Sequence, residues 1–144
     1  MRDLLVGYLE SLAELDGRYT QIKCVNYQAG VGKIGAFSLV FRAHDTIEDS
    51  DVALKFHDPD IAYDQYRLRA FDREPEILQK LLGQKRCLQL IEPMKTHLWQ
   101  YDPILQIPVK YFVVEWLDGE VDDVFQNQHL YDSAEKLRLF VDIV

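Results

Sequence analysis

The chain has 144 residues, enough for one domain with its own interior and too few for two ordinary ones. Hydrophobic residues make up 48% and aromatics 12%, which excludes a disordered chain, because such chains lack the apolar surface to offset conformational entropy. With 16 Lys plus Arg against 24 Asp plus Glu the formal charge is −8, so nucleic-acid backbones and anionic lipid are both disfavoured as partners.

Cys24 and Cys87 stand far apart, which indicates neither a disulfide framework nor a zinc site. No apolar run approaches the ~20 residues that span a bilayer, and acidic residues interrupt the N-terminal stretch where a secretory signal carries a clean apolar core. These features predict a cytoplasmic protein.

Residues 3–15 place Leu4, Leu5, Tyr8, Leu9, Leu12 and Leu15 at helical spacing, with Asp16-Gly17 as a stop, and predict an N-terminal amphipathic helix within residues 1–18. From Tyr19 the texture changes to short Val, Ile, Phe and Tyr runs between glycine-bearing or polar loops. This pattern predicts strands near residues 19–28, 37–44 and 51–57. The acidic linker "DTIEDSD" is too short for a parallel crossover, so these strands pair antiparallel.

Between Ile61 and Leu82 the period becomes helical, with Gly83 as terminator and Pro75 as an expected kink or fresh helix start. "RCLQLIEPMKTHLWQ" and "VKYFVVEWLD" predict two further strands, joined by an irregular loop that contains Pro103 and Pro108. Asp132 and Glu135 have capping-box spacing before Leu137, Phe140, Val141 and Val144, which predicts a last helix that stops mid-pattern.

Four local signals stand out within this order. "GKIGAFSLVFRA" is a glycine-bearing hairpin with Phe37 at its tip, and "VALK" puts a lysine, Lys55, at the end of an apolar strand. "REPEILQKL" carries Glu74 three residues before an Ile-Leu pair, and "KYFVVEWLDGEVDDVF" runs from a strand into an acidic turn. Each has an ordinary structural explanation when taken singly: a hairpin, a lysine whose ammonium reaches water, a solvated helix face, a strand followed by a turn.

Together, in this order and spacing, they resemble the N-terminal lobe of a eukaryotic-type Ser/Thr protein kinase. The resemblance implies an α+β fold, a five-stranded antiparallel sheet with helix C, over residues 19–117. Residues 118–144 then hold the hinge exit and a truncated start of the C-lobe helices D and E.

By that resemblance Gly35, Ser38 and Val40 match the second glycine, third glycine and valine of G-x-G-x-x-G-x-V, and Phe37 closes the site from water. Lys33 stands at the first glycine unless Gly32 takes that role. Ala53 packs on adenine and Lys55 holds the α- and β-phosphates. Glu74 is the carboxylate that fixes Lys55, with Glu76 as the alternative if Pro75 shifts the register. Val114 is the gatekeeper, the backbones of Glu115 and Leu117 bond the adenine edge, Gly119 lets the chain turn, and Asp122 or Asp123 reaches the ribose.

The implied cofactors are ATP and Mg²⁺, and the implied partners are ATP and a protein substrate, with phosphorylation in signalling as the role. The H-R-D-x-x-x-x-N and D-F-G motifs that supply the catalytic base and the Mg²⁺ ligands occur nowhere in the sequence. The expectation is therefore an N-terminal portion of a kinase, inactive alone, that binds nucleotide weakly at most and self-associates through its apolar C-terminal helix. A pseudokinase-like nucleotide- or partner-binding signalling module is the alternative, and a small α+β interaction domain unrelated to kinases is the third.

Overall fold

A computed structural model describes residues 1–35, 38–61 and 63–117. Helix α1 spans Arg2–Ser11. It is followed by β1 (Tyr19–Cys24), β2 (Tyr27–Gln28), β3 (Gly32–Lys33), β4 (Ser38–Asp45) and β5 (Ser50–His57), a 3₁₀ turn at Pro59–Ile61, helix α2 (Gln65–Lys80), and strands β6 (Leu90–Gln100) and β7 (Gln106–Glu115). Five strands form an antiparallel sheet in the order β1-β4-β5-β7-β6, while β2 and β3 make a separate two-stranded ribbon. The fold class is α+β, with a five-stranded antiparallel sheet and two helices among the described residues.

Side chains two apart on a strand share a face, and that alternation builds a core on each side of the sheet. Leu39, Phe41, Val52, Leu54, Phe56, Tyr111 and Val113 face one way and pack with Leu5 and Leu9 of α1. Val40, Ala53, Phe112 and Val114 face the other way and pack with Phe71 and Leu78 of α2. Burying a leucine such as Leu5 or Leu9 contributes about 1.5–3 kcal/mol relative to leaving it exposed, so α1 is held to its face of the sheet by apolar contact.

Several boundaries differ from the sequence expectation. Helix α1 ends at Ser11, and Leu12 is already extended (φ −72°, ψ 132°), so Leu12 and Leu15 do not continue it. Leu15 is buried because it bridges Tyr19, and the Asp16-Gly17 stop becomes a left-handed turn with φ of 50° and 71°. Leu4 stays 53% exposed. Strand β1 stops at Cys24 rather than running to Gln28, and carries a bulge between Thr20 and Lys23 with Gln21 at φ 55°.

Helix α2 is continuous across Pro75, with no fresh start there. Proline removes one ladder bond and crowds the preceding turn, and here its ring is buried. The helix begins at Asp64, whose carboxylate accepts the Arg67 N–H at 3.2 Å, and ends before Gly83 at φ 82°. Pro108 lies inside β7, opposite Leu98 of β6, and not in the connecting loop. The predicted helix over residues 132–144 lies outside the described residues.

Candidate functional site

Lys55 sits on the α2 side of β5, opposite Val40 of β4 and Phe112 of β7. A lysine there faces an apolar core, and no part of it reaches water: its exposure is 0%. The cost of burying an ammonium is met by a carboxylate, because Lys55 Nζ donates to Glu74 Oε1 from the middle of α2, where Glu74 is 2% exposed. The ammonium also lies 5.6 Å from the centre of the Phe112 ring. Glu76 is exposed and belongs to the solvent side of the same helix.

Val40, Ala53 and Val114 line up beside this pair. Ala53 is opposite Val114 across the β5–β7 ladder, all three are fully buried, and Leu117 and Trp116 pack against the same cluster. The result is an apolar surface that ends at a buried ion pair. The Arg42 guanidinium stacks over the Trp116 ring at 4.5 Å and bonds Asp51. The Glu115 N–H donates to the Gln89 carbonyl at 3.0 Å, so any ligand bond from the Glu115 backbone must use its carbonyl.

The glycine-bearing segment has a construction that the sequence did not announce. Its hub is Asn26, 2% exposed. The Asn26 amide donates to the carbonyls of Ile34 and Ser38, and its Oδ1 accepts the Val40 N–H at 2.8 Å. A second backbone bond runs from the Ile34 N–H to the Asn26 carbonyl. The chain therefore leaves the sheet at Asn26, makes the β2–β3 ribbon, and returns at Ile34 to enter β4.

Gly32 is exposed in that ribbon, opposite Gln28. Gly35 follows at φ 93°, a conformation that favours glycine. Ser38 is fully buried at the start of β4. Lys55, Glu74, Val40, Ala53, Val114 and Leu117 are thus brought to one side of the sheet, with Ser38 at its edge, while Gly32 stands apart. Phe37, Gly119, Asp122 and Asp123 lie outside the described residues.

Two titratable groups near the loop were not singled out by sequence. Asp58, just beyond β5, is fully buried and accepts from Lys33 Nζ at 2.7 Å and from Arg2. Burial pushes the Asp58 carboxyl up, but the bonds from Arg2 and Lys33 outweigh it and hold it below the ordinary carboxylate range. His57, two residues after Lys55, packs edge-on to Phe71, and burial lowers its pKa. Its Nε2 is enclosed and has no hydrogen-bond partner among the described residues.

Among the described residues, no group of three or more His, Cys, Asp or Glu is placed to hold a metal ion, and no helix is long and apolar enough to cross a membrane. No protein-family model matches this sequence, and no curated protein matches it at a significant level.

Proposed function

We propose that residues 19–117 form the ATP-binding lobe of a protein kinase that transfers the γ-phosphate to protein Ser or Thr in cytoplasmic signalling. The observation that carries this reading is the buried Lys55–Glu74 ion pair at the end of an apolar surface made by Val40, Ala53 and Val114. An ion pair inside a core is rarely the most stable choice, since well-packed apolar residues do as well or better. A function that needs a fixed ammonium accounts for it.

On this reading the adenine lies against Val40, Ala53 and Val114, the Glu115 carbonyl and the Leu117 backbone bond its edge, and Lys55 binds the α- and β-phosphates. Glu74 keeps the ammonium charged and in place. Mg²⁺ is coordinated in this chemistry by residues of the D-F-G and catalytic loops, which the sequence does not contain, so no step is assigned to it here. Phosphoryl transfer is not expected of these 144 residues, and nucleotide binding is expected to be weak.

The test is a titration of the chain with Mg-ATP to millimolar concentration, followed by amide NMR. Shifts at Val40, Ala53, Val114 and Leu117 that disappear in Lys55→Met support the reading. The same shifts in Lys55→Met, or none at these positions, overturn it, and submicromolar affinity would overturn the expectation of weak binding.

A second reading, a pseudokinase-like module that binds a nucleotide or a partner without phosphoryl transfer, draws on the loop: the lysine in place of the first glycine is committed to Asp58. The downstream sequence of the gene separates the two, since intact H-R-D and D-F-G motifs favour the enzyme.

A further inference from the structure

Helix α2 turns Phe71, Glu74, Pro75 and Leu78 inward, which leaves its opposite side to solvent. Arg69, Arg73 and Lys80 are exposed on that side and fall in one line, because steps of four and seven residues return to the same face of a helix. Lys85 and Arg86, also exposed, carry the charge on into the loop before β6. Tyr66 and Ile77 border the line and are 68% and 37% exposed.

The rest of the chain uses its cations differently. Among the described residues, every other Lys and Arg except Lys23 is in an ion pair with a carboxylate. None of the five in this segment has a side-chain hydrogen bond or an ion pair among the described residues. The carboxylates of the helix are placed elsewhere: Asp64 is paired with Arg67, Asp72 with Lys110 and Glu74 with Lys55, while Glu76 is exposed and pairs with neither Arg73 nor Lys80.

Lys80 has a local reason for its place, since a cation in the last turn suits the helix dipole. Arg69 and Arg73 have none. They stand at i and i+4, where like charges repel and weaken a helix. Two arginines held unpaired and close together on a rigid element are suited to carboxylates that come from outside, which the planar guanidinium binds through two parallel bonds.

We propose that the outer face of α2 docks a short acidic segment of a protein partner, with its carboxylates on Arg69 and Arg73 and its apolar side chains on Tyr66 and Ile77. Extended polyanions fit less well. The formal charge of −8 repels a nucleic acid or an anionic bilayer, whereas a short segment senses chiefly the charges within a Debye length of about 8–10 Å. The line from Arg69 to Lys80 is about 16 Å long, the span of about five extended residues. Lys85 and Arg86 draw the same segment toward the end of the helix. The proposal is independent of nucleotide binding at Lys55.

The experiment uses the full chain and a labelled peptide in which pairs of Glu are separated by single Leu residues, titrated by fluorescence anisotropy at near-physiological salt, with amide NMR to locate the site. Wild type is expected to bind with shifts along residues 66–80. Arg69→Ala/Arg73→Ala should bind about tenfold more weakly, Tyr66→Ala severalfold more weakly, and Lys23→Ala as wild type does. Alanine is the better helix former and removes the repulsion, so the double variant should melt no earlier than wild type, which separates lost binding from lost folding. No binding by wild type, undiminished binding by the double variant, an equal loss in Lys23→Ala, or shifts confined to other elements overturns the proposal. Tighter binding of a single-stranded oligonucleotide or of phosphatidylserine vesicles overturns the choice of partner, and equal affinity for a Glu-only peptide of the same charge overturns the role of Tyr66 and Ile77.

Discussion

Lys55 and Glu74 form a buried ion pair, with exposures of 0% and 2%. The two residues come from different elements, the end of β5 and the middle of α2, so the pair fixes the helix against the sheet at one point. Its energetics set it apart from a surface salt bridge. Breaking a buried pair leaves a lone charge in the core and costs about 3–5 kcal/mol, whereas replacing both partners with apolar groups is often neutral or better.

That asymmetry gives a double-mutant prediction. Glu74→Leu and Lys55→Met alone should each lower stability by about 3–5 kcal/mol, while the combined variant should lie close to wild type. Urea denaturation with matched m-values measures it. If the double variant folds stably and also loses Mg-ATP binding, the pair is retained for the ligand rather than for the fold. Additive losses would show that the pair is a stabilising element in its own right.

Much of this arrangement is legible in the sequence for one reason: strand alternation records which face a residue takes. Alternation within each strand puts Val40, Ala53, Phe112 and Val114 on one face and Leu39, Phe41, Leu54 and Val113 on the other, so a charged residue on the first face has to meet a partner. Helix spacing is less reliable, because apolar spacing reports burial and not dihedral angles. Leu15 satisfies the helical pattern of α1 and is buried, but by a strand-like bridge to Tyr19.

Pro108 misleads in the opposite direction. It is tolerated in β7 because that part of the strand pairs only with β6, while the ladder to β5 covers residues 111–115. The Asn26 hub and the Asp58 ion pairs leave little local signal. Asp58 has one local donor, the Asp60 N–H, but the bonds that define both groups reach partners 8 to 56 residues away, and a single Asn or Asp in a polar stretch is compatible with any exposed turn.

Acid should weaken the fold through Asp58 in a window that follows from the sign of its shift. The folded carboxyl lies below its unfolded value of about 3.9. Its contribution is therefore complete above that value and is lost as pH falls through the folded one. Asp45, held low chiefly by the Arg18 guanidinium, acts in the same direction. In urea titrations at a series of pH values, the stability gap between wild type and Asp58→Asn should be widest near pH 6 and narrow below about pH 4. A gap that does not change with pH would assign the loss to shape and not to charge.

His57 predicts a second, separate slope at milder pH. Burial lowers its pKa, opposed by Asp58 and Asp72 and reinforced by Lys110 and Lys33. The unfolded state, with a value of about 6.5, then takes up a proton before the folded state does. Stability is full above that value and declines as pH drops below it toward the folded pKa. His57→Gln should flatten the profile between about pH 7 and pH 5 while leaving the acid limb below pH 4 in place. The same slope in His57→Gln would place the titrating group elsewhere.

Cys24 offers a chemical readout of the region between α1 and the ribbon. Its thiol lies 3.8 Å from the Asn26 side-chain oxygen and is pushed up to about 11, mainly by burial, with the nearby Glu10 carboxylate acting in the same direction. The thiolate is the reacting form, so at pH 8 a shift of about two units from the unfolded value slows alkylation on the order of 100-fold. Iodoacetamide labelling of Cys24, read by mass spectrometry of the native chain and of the chain in urea, should show that ratio, and the native rate should rise about tenfold per pH unit from 8 to 10. Equal rates in the two states would mean that Cys24 is open to solvent, which would also contradict the close seating of Asn26 beside it.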